Sequence, residues 1–588
     1  MNIFKFFILC FSLVLTAYSG EKPNVIIILT DDQGWGDLSL SGNKDLETPN
    51  IDSIAKGGAQ FINFYVAPVC SPTRAEFLTG RYSFRCGVYS TSKGGERIDL
   101  DEVTIADTFK AAGYKTGAFG KWHSGMQYPY HPNGRGFDEY YGFCSGHWGN
   151  YFNPVLEHNG RLVKGNGFCV DDFTEKAMTF IESNKDNSFF VYLAYNTPHS
   201  PMQVPDKFWN KFKNKKLQMK HNTGSSKKIK PDFLKAALAM CENIDWNVGR
   251  ILKKLDDLGI AENTIVLFFS DNGPNSKRWN GGMKGKKGSR DEGGVRSPLV
   301  MRWPAKIKAG IRVEKITSAI DLLPSLASMT GTPLISKKPL DGVNFEGLLT
   351  DKEVDWNDKR LVANVWSKKF SIRSQKFRLD ERGDLYDIEN DRGQQKVVSE
   401  EYPAVTVRLK AVMEDYKKQY YSELPKEDPR PFVICHKDFP YTQIPARDGK
   451  VTGGIRRSNR WPNCSYFTNW IDLNGTISFD VEVQSEGEYE VEIYYTCSKG
   501  SEGSTFEVRV GSQAVKGVIS EAHDPPETGM EHDRSVRMES YVKDFKPLKV
   551  GVIKLSKGKA VLTLKALTKP GTQVMDFRLL MLKKVQSK

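Results

Sequence analysis

At 588 residues the chain exceeds what one ordinary hydrophobic core organises, so it divides into several domains. Its 39% apolar, 11% aromatic and 26% charged composition excludes a disordered, collagen-like or membrane-embedded protein. The 84 Lys and Arg exceed the 71 Asp and Glu, leaving +13, which suits an anionic partner without choosing among nucleic acid, phosphate and sulfate.

Lys5 precedes an apolar run over residues 6–15, and Ala17-Tyr18-Ser19 offers small residues at the positions a signal peptidase reads. Residues 1–19 therefore read as a signal peptide, because the run is too short to span a bilayer. Export, periplasmic or secreted, disfavours nucleic acid as a partner, and no later stretch reads as a membrane span. Eight cysteines follow Cys10. In an oxidising compartment they either bridge, Cys144 with Cys169 and a pair among Cys435, Cys464 and Cys497, or stay as buried thiols.

From Asn24 to about Asp387 short apolar runs alternate with helix-period stretches, the pattern of an α/β domain around a large sheet. Residues 25–29, 188–195 and 264–269 are nearly continuous in apolar character, as strands covered on both faces are. Residues 232–255 carry Leu234, Leu238, Cys241, Ile244, Val248, Ile251 and Leu255 at helical spacing behind Pro231. The texture changes near residue 427. Ile477, Phe479, Val481 and Val483 alternate with polar residues, as do Tyr489, Val491, Ile493 and Tyr495, so residues 427–588 read as an antiparallel β-sandwich.

The first strand runs into Asp31-Asp32 and the strand over 264–269 into Asp271-Asn272. In open α/β sheets sites form beyond the carboxyl ends of strands, so these groups are placed to meet. Three carboxylates and an amide oxygen form a hard set suited to Ca²⁺ or Mg²⁺ and poorly to Zn²⁺. Pro72 suits the first turn of a helix and Gly80 its C-terminal cap, so Cys70 should sit just ahead of the helix start with Arg74 close by, where free N–H groups favour an anion.

Cys-x-Pro-x-Arg with Leu78-Thr79-Gly80-Arg81 resembles the signature of the formylglycine-dependent sulfatases of the alkaline-phosphatase-like superfamily. Further matches occur in the family's order: Gly120-Lys121-Trp122-His123, Gly136-Phe137-Asp138, Thr197-Pro198-His199, Lys287-Gly288 before Glu292-Gly293-Gly294-Val295-Arg296, and Leu385-Tyr386-Asp387. The resemblance implies a catalytic domain over 20–350 with a large mixed central sheet and a small α+β subdomain over 351–426. It also implies oxidation of Cys70 to Cα-formylglycine by a separate maturation enzyme. Asp31, Asp32, Asp271 and Asn272, with residue 70, would hold one Ca²⁺. His123 would support elimination of sulfate from residue 70, Arg74 and Lys121 would steady the aldehyde hydrate, and His199 and Lys287 would hold the sulfate and protonate the departing oxygen.

Two loops outside these motifs, around His147-Trp148 and Arg278-Trp279, pair aromatic rings with basic groups and suit a charged sugar. With export and the Lys-rich stretch over 207–230, they favour a sulfated polysaccharide or its oligosaccharides, such as ulvan or carrageenan fragments. The sandwich either binds carbohydrate or buttresses the catalytic domain. The rivals are a phosphatase, phosphodiesterase or phosphonate hydrolase of the same superfamily, which typically needs two transition metals and further histidines, and a non-catalytic glycan-binding protein.

Overall fold

The computed structural model describes residues 22–219, 230–350, 356, 359–424 and 428–585. The expected signal peptide and the middle of the Lys-rich stretch lie outside the described residues. Among the described residues no helix is long and apolar enough to cross a membrane.

A ten-stranded mixed sheet organises the first half of the chain. Its centre is the strand Asn24–Asp31, buried throughout, which pairs in parallel with Phe189–Pro198 on one side and Thr264–Ser270 on the other. Lys115–Lys121 continues the parallel set beyond Phe189–Pro198. Both faces are covered. Val25, Ile27 and Leu29 pack into one apolar cluster, and Ile26 and Ile28 into another with Ile244, Val248 and Ile251 of the helix Pro231–Asp257. Burial on both faces is why these strands lack polar alternation. Because the four strands run the same way, their carboxyl ends present Asp31, Asp271, His199 and Lys121 at one edge.

A four-stranded antiparallel sheet follows, Val362–Trp366, Lys369–Arg373, Phe377–Leu379 and Leu385–Asp387, with Leu409 and Met413 of the helix Pro403–Glu423 packed on Phe370 and Ile372. The C-terminal residues form two six-stranded sheets around a core that includes Phe479, Val481, Ile493, Phe506, Leu564 and Leu580. One pair departs from the expected antiparallel pattern: Phe432–Ile434 lies parallel to Thr476–Val483. All eight described cysteines are buried free thiols, so neither disulfide set forms.

The sandwich is docked through polar contacts as well as apolar ones. Buried Arg447 pairs with Glu96 at 2.6 Å, Arg97 Nη1 donates to Pro431 O at 2.7 Å, and Ser145 Oγ donates to Asn463 O at 2.8 Å. At the same junction the Glu157 carboxylate accepts from Cys144 Sγ at 2.9 Å and from Gln443 of the sandwich, and lies 3.3 Å from His131 Nε2.

Candidate active site

Cys70 is the first residue of the helix Cys70–Thr79, all ten residues of which are buried. Gly80 closes that helix at φ 68°, a left-handed conformation that a side chain would strain. Thr73 Oγ1 donates to Asp271 O at 2.6 Å, which pins the helix start to the end of the Thr264–Ser270 strand. As a result one ligand atom each from Cys70, Asp31 and Asp271 lies within 4.8 Å of the others, and so does one each from Asp31, Asp32 and His199.

The carboxylates are matched by cations. Lys121 Nζ lies 2.6 Å from Asp31 Oδ2, Arg74 2.9 Å from Asp271 Oδ2 and Lys287 2.6 Å from Asp32 Oδ1. Burial opposes charge on Asp31, but Lys121, His199 and Lys287 together outweigh it and hold its carboxyl below the ordinary range. Asp271 goes the other way: burial and the neighbouring Asp31 charge push it up to about 7 despite Arg74. Burial likewise pushes the Cys70 thiol up. Lys287 is held charged because Asp32, Asp31 and Asp271 outweigh its burial. Its loop reaches this point through Lys287 N to Pro274 O at 3.0 Å and Gly288 N to Pro68 O at 2.8 Å.

Two buried oxygens here have no hydrogen-bond partner, Asp31 Oδ1 and Asn272 Oδ1. An unpaired buried oxygen is costly unless something positive faces it, and both are hard donors. With Asp32 and Asp271 they fit a hard divalent cation.

The histidines are fixed by backbone carbonyls. His123, in the left-handed region at φ 60°, has Nε2 2.8 Å from Thr91 O. A carbonyl only accepts, so Nε2 carries the proton and Nδ1, which is buried without a partner, is left as a base. Burial and the charge of Lys121 push its pKa well below the usual imidazole range. A Cβ on Gly146 would stand 2.5 Å from His123 Nε2, so the next loop closes directly over this ring. His199 Nδ1 donates to Ser200 O at 2.6 Å, and its Nε2 lies 3.8 Å from Asp32 Oδ2.

Of the four loop residues expected to meet substrate, His147 joins this group. Its ring stacks on His199 at 5.7 Å, and its buried Nε2 has no partner. The other three are placed differently. Arg278 is buried and bonds to the Asp37 carboxylate at 2.7–2.9 Å and to Asp32 O at 2.6 Å, so it clamps the loop bearing Asp32 and Asp37 and has no free face for a sugar. Trp279 packs on the backbone at Gly36, where a Cβ would stand 3.0 Å from its ring. Trp148 stacks on Phe143 at 5.1 Å beneath Arg578, lining a cavity of about 620 Å³ between the sheet and the sandwich.

Sequence spacing missed the groups that hold the site together. Asp37 clamps Arg278, Tyr192 Oη lies 3.0 Å from Arg74 Nη1, and Thr91 orients His123. From the sandwich, Asn463 Nδ2 donates to the same Thr91 carbonyl at 3.4 Å, Glu539 accepts from Ser200 Oγ, and Arg537 donates to Gly149 O. They sit outside any motif and meet the site only through tertiary packing.

A family model described as Sulfatase matches residues 23–332. N-acetylgalactosamine-6-sulfatase of Mus musculus is 32% identical over 368 residues, covering 56% of this chain and 67% of that protein. Arylsulfatase A of Homo sapiens is 32% identical over 381 residues, covering 58% and 70% respectively. Among solved structures, Ps i-CgsB in complex with k-i-k-neocarrahexaose matches at 32% identity and a TM-score of 0.60, covering 68% of this chain and 93% of that one.

Proposed function

Because the chain belongs to the sulfatase family and is a sulfuric ester hydrolase, we propose that it is exported and removes sulfate from a sulfated oligosaccharide or polysaccharide, with Cys70 oxidised to formylglycine and one Ca²⁺ bound. The observation that carries this reading is the position of Cys70: first in a buried helix, within 4.8 Å of Asp31 and Asp271 ligand atoms, with Lys121, Arg74 and Lys287 paired to the surrounding acids. Sulfated glycan as substrate is supported by the relatives' own names, one acting on a sulfated sugar and one holding a carrageenan oligosaccharide. The chain's +13 charge complements such a polymer.

Asp31, Asp32, Asp271 and Asn272 would hold the cation, which when bound lowers the pKa of a hydroxyl on residue 70 and screens the incoming sulfate. An aldehyde at residue 70, made by a separate maturation enzyme, would as its hydrate supply two hydroxyls, one to take up sulfate and one whose deprotonation would expel sulfate and restore the aldehyde. The protein's own groups divide the remaining work. Lys287, kept charged by the acids around it, stabilises negative charge on the sulfate oxygens. His199, whose Nδ1–H is committed to Ser200 O, would deliver a proton to the departing sugar oxygen from Nε2 as an imidazolium paired with the Asp32 carboxylate 3.8 Å away. His123 presents a neutral Nδ1 able to accept the proton whose removal releases sulfate. Lys121 and Arg74 keep the acids oriented, Arg74 through Asp271 and the Lys121 carbonyl at once. Asn272, standing where a two-metal phosphatase of this superfamily would typically carry a histidine, favours one hard cation over a transition-metal pair.

Mass spectrometry of the Cys70 peptide from the native host, together with a desulfation screen on defined sulfated oligosaccharides, tests the proposal. The expected result is the mass loss of thiol-to-aldehyde conversion together with sulfate release. An unmodified thiol, or turnover of phosphate esters over sulfate esters, overturns it.

A further inference from the structure

The sandwich lies beyond residue 332, where the family model ends, yet two of its loops reach the catalytic groups. The first carries Asn463, which shares the Thr91 carbonyl with His123. Two residues earlier Trp461 is 44% exposed, with the exposed Arg460 guanidinium over its ring at 4.9 Å. The second loop is extended and alternates. Arg537 and Glu539 are buried against Gly149 and Ser200, neighbours of His147 and His199, whereas Met538 between them is 63% exposed. The loops are joined: Asn459 donates to Met538 O at 2.8 Å and accepts from Trp461 N at 2.9 Å, and Ser458 Oγ meets Ser540 Oγ at 2.7 Å. The result is one braced rim, with its polar residues turned into the catalytic domain and its large apolar residues left in water.

We propose that this rim is a second glycan subsite: Trp461 and Met538 form the platform under the sugar next to the one being desulfated, and Arg460 takes that sugar's sulfate. The inference rests on the sulfated-glycan reading above and adds to it which part of the chain reads the polymer. An indole face suits the C–H face of a sugar ring, and an arginine fork suits a sulfate. Loops that only buttressed the catalytic domain would have no need to expose a tryptophan and a methionine on the side away from their anchoring bonds. Continuity with the catalytic histidines through Asn463 and Glu539 selects a chain already threaded into the pocket over a separate partner.

The full-length enzyme and its Trp461→Ala, Trp461→Phe and Arg460→Ala variants are compared on a small aryl sulfate and on a carrageenan hexasaccharide or the best oligosaccharide of the screen. Trp461→Ala is expected to raise KM for the oligosaccharide about tenfold, with kcat and the aryl sulfate reaction unchanged. Trp461→Phe recovers most of the loss, and Arg460→Ala raises KM less while flattening its salt dependence. Oligosaccharide titrated into Cys70→Ala protein supplies the same comparison without turnover. Equal affinity with and without Trp461, equal loss on both substrates, or a change only in self-association overturns the subsite. Failure of wild-type enzyme to release sulfate from either substrate counts against the parent reading, and the titration still decides the rim.

Discussion

The carboxyl edge of the central sheet and the interior of the sandwich are built on opposite terms. At the sheet edge three buried carboxylates are paired with buried Lys121 and Arg74 and with the partly exposed Lys287, and Asp31 Oδ1, Asn272 Oδ1, His123 Nδ1 and His147 Nε2 are left without partners. The sandwich core is largely apolar and drawn from alternating positions of both sheets. Unpaired buried groups are costly, and these four, carried by neighbouring residues that also include three carboxylates, are the kind of atoms a bound ligand would satisfy. The sandwich reaches the catalytic domain's histidine-bearing loops where alternation stops, in the loops that bear Asn463, Arg537 and Glu539.

The sharpest separation of the two regions is Cys70→Ala. It should lower sulfate release by at least ~10⁴-fold, because the nucleophile is lost outright, while leaving thermal unfolding and oligosaccharide binding near wild type. Loss of binding together with activity would mean that the sandwich rim and the catalytic pocket are not independent.

Arg278→Ala comes next and acts on stability. Removing one partner of a buried pair leaves Asp37 uncompensated, so the chain should lose ~3–5 kcal/mol in denaturant unfolding, against ~1 kcal/mol or less if Arg278 only touched substrate. A variant that unfolds like wild type but has a raised KM would restore the substrate role.

The third test completes the sheet edge from outside. Ca²⁺ at about a hundredfold over its dissociation constant should stabilise the enzyme by ~2.7 kcal/mol, and Asn272→Ala or Asp31→Asn should abolish the response. Wild-type protein whose melting temperature ignores both Ca²⁺ and a chelator would remove the cation from the proposal.

How much of this was legible in the sequence follows the same division. The parallel strands were visible because burial on both faces leaves unbroken apolar runs; Asp31 and Asp271 stood out because each stands two residues beyond such a run, whereas Cys70, Lys121, His123, His199 and Lys287 stood out only through their resemblance to the family's motifs. Arg278 was misplaced because a basic residue beside a tryptophan looks the same in sequence whether it faces a sugar or a buried acid. Asp37, its partner, is 241 residues away. Alternation announced the sandwich, but the parallel Phe432–Ile434 edge is too short to show its direction. The anchoring roles of Asn463 and Glu539 depend on docking, which no local pattern encodes.

The smallest effect is a pH slope that dates the two regions separately. Glu76, on the buried helix behind Cys70, accepts a hydrogen bond from Ser83 N at 3.3 Å, and burial pushes its carboxyl up to about 8. The unfolded chain gives up this proton near 4.5, the folded chain only near 8. Between those values the folded state binds the extra proton, and stability falls as pH rises. The slope is at most ~1.4 kcal/mol per pH unit. Asp448 of the sandwich, pushed by burial to about 6 against the pull of Arg447, adds the same sign of slope only up to about that pH. From pH 6.5 to 7.5 the loss therefore belongs to the catalytic domain, shared by Glu76 and by Asp271, which is pushed up to about 7. Glu76→Gln should reduce it, matching wild type near pH 4.5 and exceeding it at pH 7.5, whereas Asp448→Asn should leave that window unchanged. Denaturant unfolding of the three proteins across this range is the check, and a slope that survives Glu76→Gln undiminished would place the buried proton elsewhere.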